Sequence, residues 1–273
     1  MLTTGGAALK FKGESGNSLD IKGSYSIETF TIPNVSQFNA TNLYNNNNID
    51  GVVEYSSQFL PETSWFLRAS GGQRVFPNKP DFSLNPDFVV KNDSVYALGE
   101  SGFVGRLSER STVDFAIGWL YRNYAVQIPP PSNISANFLA PVFYARFAEQ
   151  VTRRDQLTLG YDYKVDDSYF TNYYLDQEIY AGLVRVLGDQ VLVLGRIGYD
   201  YRSYSLPFRR DDIRLTGSFS VRYSFTKVIK FTADLKVDLL SSDAYDNTLT
   251  PIAPDRPFNY NAGSFAIGLL ANY

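Results

Sequence analysis

The sequence predicts an all-β fold, a single up-and-down antiparallel β-barrel of about 12 strands (12 to 14) that crosses a membrane. Three observations predict it. Apolar and polar residues alternate in segments of about ten residues along nearly the whole chain, the connections alternate between short and long, and aromatic residues gather toward segment ends. Residues 1–273 read as one domain, in which 1–17 is either an extra strand or a truncated start.

The alternation is clearest where Ile213, Leu215, Gly217, Phe219, Val221, Tyr223 and Phe225 interleave with Arg214, Thr216, Ser218, Ser220, Arg222 and Ser224. Successive side chains point to opposite faces of a strand, so one face here is greasy and the other suits water. The next segment repeats the pattern. Ile229, Phe231, Ala233, Leu235, Val237 and Leu239 point outward, and Lys230, Thr232, Asp234, Lys236 and Asp238 point inward. Thr226 to Val228 between the two segments give hairpin spacing. Similar segments lie near 18–29, 49–59, 64–75, 94–107, 112–124, 138–149, 156–165, 173–187, 190–203 and 258–273. A weaker one, Ala7 to Lys12, precedes them as an awkward thirteenth. It reads either as a short inward piece or as the remnant of a larger barrel truncated at its start.

Short connections are expected at Leu60–Thr63, Ser108–Ser111, Thr152–Asp155 and Gly188–Asp189. Long ones are expected at Phe30–Asn48, Phe76–Asp93, Ala125–Asn137, Asp166–Asn172, Tyr204–Asp211 and Leu240–Pro257. Membrane barrels have short periplasmic turns and longer extracellular loops, which would place both ends of a closed twelve-stranded barrel in the periplasm. A soluble sandwich or lipocalin-like barrel also alternates, but its strands average only about 5 to 6 residues.

Aromatic placement gives the third argument. Tyr121, Tyr124, Tyr161, Tyr163, Tyr173, Tyr199, Tyr201 and Tyr204 are read toward the long loops, and Phe59, Trp65, Phe147, Phe225 and Phe231 toward the short turns. With the terminal Tyr273 they would form two interfacial girdles, each ring with its body in lipid and its polar edge among headgroups. Plain strand propensity explains the abundance of rings less well than their position.

Composition narrows function. No apolar run approaches the ~18 to 20 residues of a membrane-spanning helix. The chain has 20 Tyr and 20 Phe against 2 Trp and 1 Met, which favours pleated surfaces over helical cores. Its net charge of -3, with no basic stripe, argues against nucleic acid as a partner. Met1 to Lys10 carries no secretory signal, as expected of an exported protein in mature or trimmed form. There is no cysteine and no histidine, so the usual nucleophile-and-base pairs and imidazole or thiolate metal sites are unavailable. The twelve-stranded outer-membrane phospholipase, similar in size, depends on a Ser-His-Asn arrangement that this chain lacks. No enzyme and no cofactor are expected. Asp166 with Asp167, and Asp211 with Asp212, offer oxygen ligands for Ca²⁺, though solvated turn residues are the simpler reading.

The polar phase assigns Arg68, Glu100, Arg122, Asp162, Arg196, Asp200, Arg214, Arg222, Asp234 and Lys236 to the lumen wall. Signs are nearly balanced, so no single-sign field selects anions or cations. Two readings stand together. The side chains brace a narrow barrel in pairs, or they line a hydrated path for a neutral or weakly charged solute such as a sugar chain.

Two resemblances add to this. The last segment, Gly263 to Tyr273, stops on an aromatic residue and resembles the C-terminal signal read by the barrel assembly machinery; Gly268 and Tyr273 match it and Ala271 departs from it. The stretch from Tyr201 to Asn247 is similar to the C-terminal hairpins of barrels associated with exopolysaccharide secretion. It carries Arg209, Arg210, Asp211 and Asp212 at a loop start, Arg222, Tyr223 and Ser224 before a tight turn, and Ser241, Ser242 and Asp243 before a loop with Tyr245, Asp246 and Asn247. This likeness covers about a sixth of the chain. It implies a polysaccharide conduit working with periplasmic export proteins, in which Tyr169, Phe170, Tyr173, Tyr174 and Tyr245 stack on sugar rings. The expectation is a non-catalytic channel or conduit of the bacterial outer membrane, in contact with its lipid and lipopolysaccharide. The alternative is a non-conducting barrel that scaffolds partner proteins; an adhesin acting through Asn39 to Asn48 is a third reading.

Overall fold

A computed structural model describes residues 2–13, 16–29, 45–77, 93–125, 137–167, 173–204, 210–226, 229–244 and 260–271. They form thirteen strands and, among the described residues, no helix: β1 (Leu2–Lys12), β2 (Ser18–Glu28), β3 (Asn46–Leu60), β4 (Thr63–Val75), β5 (Ser94–Arg106), β6 (Ser111–Tyr124), β7 (Asn137–Gln150), β8 (Asp155–Asp167), β9 (Tyr173–Leu187), β10 (Val191–Tyr204), β11 (Arg210–Ser224), β12 (Ile229–Ala244) and β13 (Tyr260–Ala271). Each strand pairs antiparallel with the next in one sheet of order β1 to β13. Backbone donors and acceptors are thus consumed between chain neighbours, as a meander requires.

The strands are 11 to 16 residues long, about twice the soluble norm. One face carries large apolar side chains open to the surroundings, among them Ile117, Trp119, Leu139, Leu159, Ile197, Leu215, Phe219 and Leu235. The opposite face carries the charged and hydroxyl residues. Among the described residues there is almost no conventional core, because their apolar surface points away from the chain; the few buried apolar side chains described, such as Phe66 and Leu120, lie on the polar face.

Two expectations are corrected. Ala7 to Lys12 is no short inward piece: it belongs to β1, which pairs with β2 over its full length, from Leu2 opposite Glu28 to Lys12 opposite Ser18. Small residues at Gly5, Gly6, Ala7 and Ala8 had weakened its hydropathy signal without weakening its backbone pairing. Closure is not seen, since no ladder joins β1 to β13 among the described residues. With an odd number of antiparallel strands, these two edges run in the same direction. Finally, several strands run further than their apolar period. Asn46 and Asn48 extend β3, Asp166 and Asp167 end β8, Arg210 to Asp212 open β11, and Ser241 and Ser242 lie within β12. Side-chain hydrogen bonds hold these polar extensions together: Asn46 donates to Glu28 at 3.1 Å and the Arg74 Nε donates to Asn48 at 2.8 Å. Asp212, expected in a loop, is buried against Arg210 at 2.7 Å.

On the polar face a dip opens where β5 and β6 carry Gly102, Ala116 and Gly118. The Phe66 ring fills it. A Cβ at Gly102 would lie 2.1 Å from the Phe115 carbonyl oxygen and 2.7 Å from Phe66 Cζ, so only glycine allows this approach. Gly102→Val should cost about 1 to 3 kcal/mol through overpacking; a denaturant midpoint in detergent micelles equal to that of the unmodified chain would contradict it.

Candidate functional site

The polar face is the candidate site. Arg68, Glu100, Arg122, Asp162, Arg196, Asp200, Arg214, Arg222, Asp234 and Lys236 all fall on it in register. Its charges are organised as arginines between carboxylates. Arg68 stands directly opposite both Glu54 and Glu100 and pairs with them at 2.7 and 3.4 Å. Arg146 pairs with Asp114 and Asp162 at 3.9 and 3.1 Å, and Arg214 with Asp200 and Asp238 at 3.8 and 2.5 Å. Asp176 takes Lys164 at 3.4 Å and Arg202 at 3.3 Å, and Arg196 pairs with Glu178. Direct cross-strand opposition puts Cβ atoms about 4.5 to 5.5 Å apart, which suits Arg68 with Glu54 and Glu100, Arg146 with Asp114, Arg214 with Asp200, and Asp176 with Lys164 and Arg202; the remaining pairs reach diagonally along the face. Pairing neighbouring charges of opposite sign lowers what it costs this face to carry many of them. Toward the β13 edge the network thins. Arg222, Asp234 and Lys236 have no ion pair among the described residues, and β13 opposes β12 there with the small Ser264 and Ala266.

The second feature lies at the far ends of β8 and β9. β7 and β8 pair only from Gln150 opposite Gln156 to Phe143 opposite Tyr163, whereas β8 and β9 stay paired to Asp167 opposite Tyr173. Beyond Tyr163 the β8–β9 end therefore leaves the wall and lies across the polar face of β4 to β7. Val165 packs with Leu120 and Val142, and the Tyr173 ring meets Phe138 at 4.1 Å. Asp167 pairs with Arg74 at 2.8 Å and with Arg122, and accepts a hydrogen bond from the Tyr124 hydroxyl at 2.9 Å. Arg122 also lies over the Tyr96 ring at 5.2 Å. Under this crossing sits a cavity of about 370 Å³, with Leu98, Leu120 and Val142 and the Tyr96 and Tyr144 rings in its lining. Its charged lining is balanced, Arg122, Arg146 and Lys164 against Glu100, Asp162 and Asp166.

Sequence reasoning missed this crossing, though a signal existed. Asp167 occupies the same phase of β8 as Tyr161, Tyr163 and Val165, and a carboxylate on an otherwise apolar phase fits only where the strand leaves the wall. The acidic pair is also committed to cations. Asp166 holds Lys164 at 3.3 Å and Asp167 holds two arginines. Both lie within β8 rather than in a turn, Asp167 largely buried and Asp166 with its side chain 43% exposed.

The aromatic assignments separate. Tyr121 is exposed on the apolar face toward the Tyr124 end of β6, and Phe225 is exposed just past β11, edge-on to Tyr223. Tyr161 and Tyr199 are mid-strand. Register joins them in one transverse row, Trp65, Phe103, Phe115, Ala145, Tyr161, Ile179, Tyr199. Trp65 is near the start of β4 and Tyr199 far from the start of β10. A hydrogen-bonded row thus climbs from one end of the strands toward the other, as in sheets of tilted strands, and residues assigned to opposite girdles share it. Tyr174 meets the Tyr204 ring at 5.2 Å. Tyr169, Phe170, Tyr245, Tyr273, Arg209, Asp246, Asn247 and Asn39 to Tyr44 lie outside the described residues.

A family model described as "Putative beta-barrel porin 2" matches residues 15–251. The chain belongs to that family. No curated protein matches this porin. Among solved structures it is similar to the copper transporter OprC, with a TM-score of 0.57 and 10% identity over 88% of this chain and 46% of that one. It is also similar to a mutant of the ferric enterobactin receptor from Pseudomonas aeruginosa, with a TM-score of 0.51 and 11% identity over 88% and 42%. The likeness is one of fold, and this porin spans less than half the length of either. The CymD monoaromatic hydrocarbon channel aligns over 100% of this chain and 86% of its own, at 11% identity and a TM-score of 0.43.

Asp167→Asn in this porin should leave Arg122, whose side chain is only 10% exposed, without its counter-charge. The loss should be about 2 to 3 kcal/mol, toward the low end for a buried pair because Arg74 is partly solvated. Amide hydrogen exchange should then quicken at Val165 to Asp167 and Tyr173 to Leu175 while β10 to β12 stay protected; uniform exchange across the sheet would contradict the crossing.

Proposed function

We propose that this porin is a non-catalytic channel of the bacterial outer membrane, serving as an export conduit for a polysaccharide. The observation that carries the reading is the division of faces, with large apolar side chains open on one side and a regularly paired, charge-balanced polar wall on the other. In hydrocarbon only the first face is tolerated, and water is retained only by the second. Balanced pairs present hydroxyl-binding groups without a net field, which suits a neutral or weakly charged polyhydroxylated chain better than an ion. The Tyr96 and Tyr144 rings beside the crossing offer apolar surface for sugar rings. Lipid and lipopolysaccharide surround the apolar face, the barrel assembly machinery inserts the protein, and periplasmic export proteins deliver the solute. Nucleic acid has no part in this reading.

An unpaired strand edge is costly in a bilayer. The membrane form therefore joins β1 and β13, which run in the same direction, through a parallel ladder or an odd number of further strands.

The second reading, a non-conducting barrel that scaffolds partners, is favoured by the β8–β9 crossing, which occupies part of the polar face. Planar-bilayer recording of the purified protein separates the two. Reproducible open-channel steps, enlarged by Asp167→Ala, are expected of a conduit, and a folded but silent protein of a scaffold. The membrane placement has its own check. In vesicles, cysteines introduced at Phe219 and Leu235 should resist a water-soluble maleimide, and ready labelling from the aqueous phase would overturn it.

A further inference from the structure

We propose that the short-turn end of the sheet holds a binding site for a phosphate oxyanion, formed by Arg110, Arg153 and Arg154. This does not rest on the channel reading. It starts from two neighbouring turns built the same way. In residues 107–110 the Ser108 hydroxyl accepts hydrogen bonds from the backbone N–H of Arg110 at 3.2 Å and of Ser111 at 3.1 Å. In residues 151–154 the Thr152 hydroxyl does the same for Arg154 and Asp155, both at 3.1 Å. Each turn is then tied to the next hairpin. The Arg110 carbonyl accepts from the Gln150 N–H and the Arg154 carbonyl from the Val186 N–H, both at 2.8 Å. Arg110 and Arg154 thus occupy equivalent, backbone-fixed positions on adjacent turns.

These turns border a cavity of about 510 Å³ that also takes Thr112, Gln150 and Gln156 from the polar face. Seven charged residues line it: Arg106, Arg110, Arg153 and Arg154 against Glu62, Glu109 and Asp155. Most of the acid is already committed. Glu62 pairs with Arg106 at 2.6 Å, and Asp155 pairs with Arg185 at 3.4 Å while accepting from the Thr152 hydroxyl at 2.7 Å. Among the described residues, no ion pair or side-chain hydrogen bond engages Arg110, Arg153 or Arg154. Three arginines without a counter-charge therefore border the cavity, with Glu109 as the one carboxylate of its described lining outside an ion pair. Planar N–H forks match tetrahedral oxyanions in a bidentate way, and an arginine cluster favours phosphate over a lone carboxylate. A lipid headgroup and a soluble phosphoryl solute share this chemistry.

Two arms distinguish the sources. In the first, inorganic phosphate is titrated into the purified protein in detergent micelles at low salt, by calorimetry. In the second, nanodiscs of phosphatidylglycerol or phosphatidylcholine are compared for headgroup retention after detergent washing. Binding in the first arm assigns a soluble phosphoryl ligand, and selective retention of phosphatidylglycerol in the second assigns lipid. In either arm R110A/R154A should weaken binding roughly tenfold or more, Glu109→Gln should tighten it, and Lys12→Ala, on β1 and outside the cavity lining, should leave it unchanged. Glu109→Gln removes a charge from an exposed turn and keeps the test alive should the double variant fail to fold. No binding in either arm, or binding indifferent to both Arg110/Arg154 and Glu109, overturns the proposal.

Discussion

One constraint governs the structure: a strand has two faces, and here neither is allowed to be neutral in character. The apolar phase is left open to its surroundings on strand after strand, and the polar phase gathers most of its charges into pairs with one another. The cross-strand geometry makes this practical. An arginine with a carboxylate on each neighbouring strand, as Arg68 has in Glu54 and Glu100, is satisfied by the same register that aligns the backbone hydrogen bonds. Ion pairing and strand pairing are thus one arrangement, and a slip of one residue would destroy both while turning the apolar face inward.

The same constraint explains where the regular pattern breaks. The β5–β6 dip exists because Gly102, Ala116 and Gly118 lack the bulk to fill the polar face, and Phe66 from β4 occupies the space. The β8–β9 end crosses the face because Asp167 cannot stay on an apolar phase, and Arg74, Arg122 and Tyr124 receive it. Both departures lie on β4 to β8, which is where the cavity with the balanced lining is found. By contrast, toward β13 the wall is more sparsely paired, with the small Ser264 and Ala266 opposite Lys236 and Asp234.

Much of the fold was legible in the primary structure, because period-two alternation is local and strong in segments such as 213–225. The face of charged residues such as Arg68, Asp162 and Arg214 followed from the same count, whereas the place of Asp167 did not. Other features were not legible, each for its own reason. β1 was underrated because Gly5 to Ala8 carry little hydropathy although their backbone pairs normally. Strand ends were placed too early where polar side chains such as Asn46, Asp212 and Ser242 extend a ladder that the apolar pattern has already left. Which aromatic residues share a level was not legible, because the tilt of strands turns one hydrogen-bonded row into a climbing one, and tilt is a property of the whole sheet.

The sequence by itself determined the strand class, the two faces and the antiparallel order, since each depends on residues close along the chain. Which charges meet, where the β8–β9 end lies, and how the arginines of two turns come to border one cavity were decided only by the tertiary structure. These depend on stagger and curvature accumulated over many strands, and no local pattern encodes them.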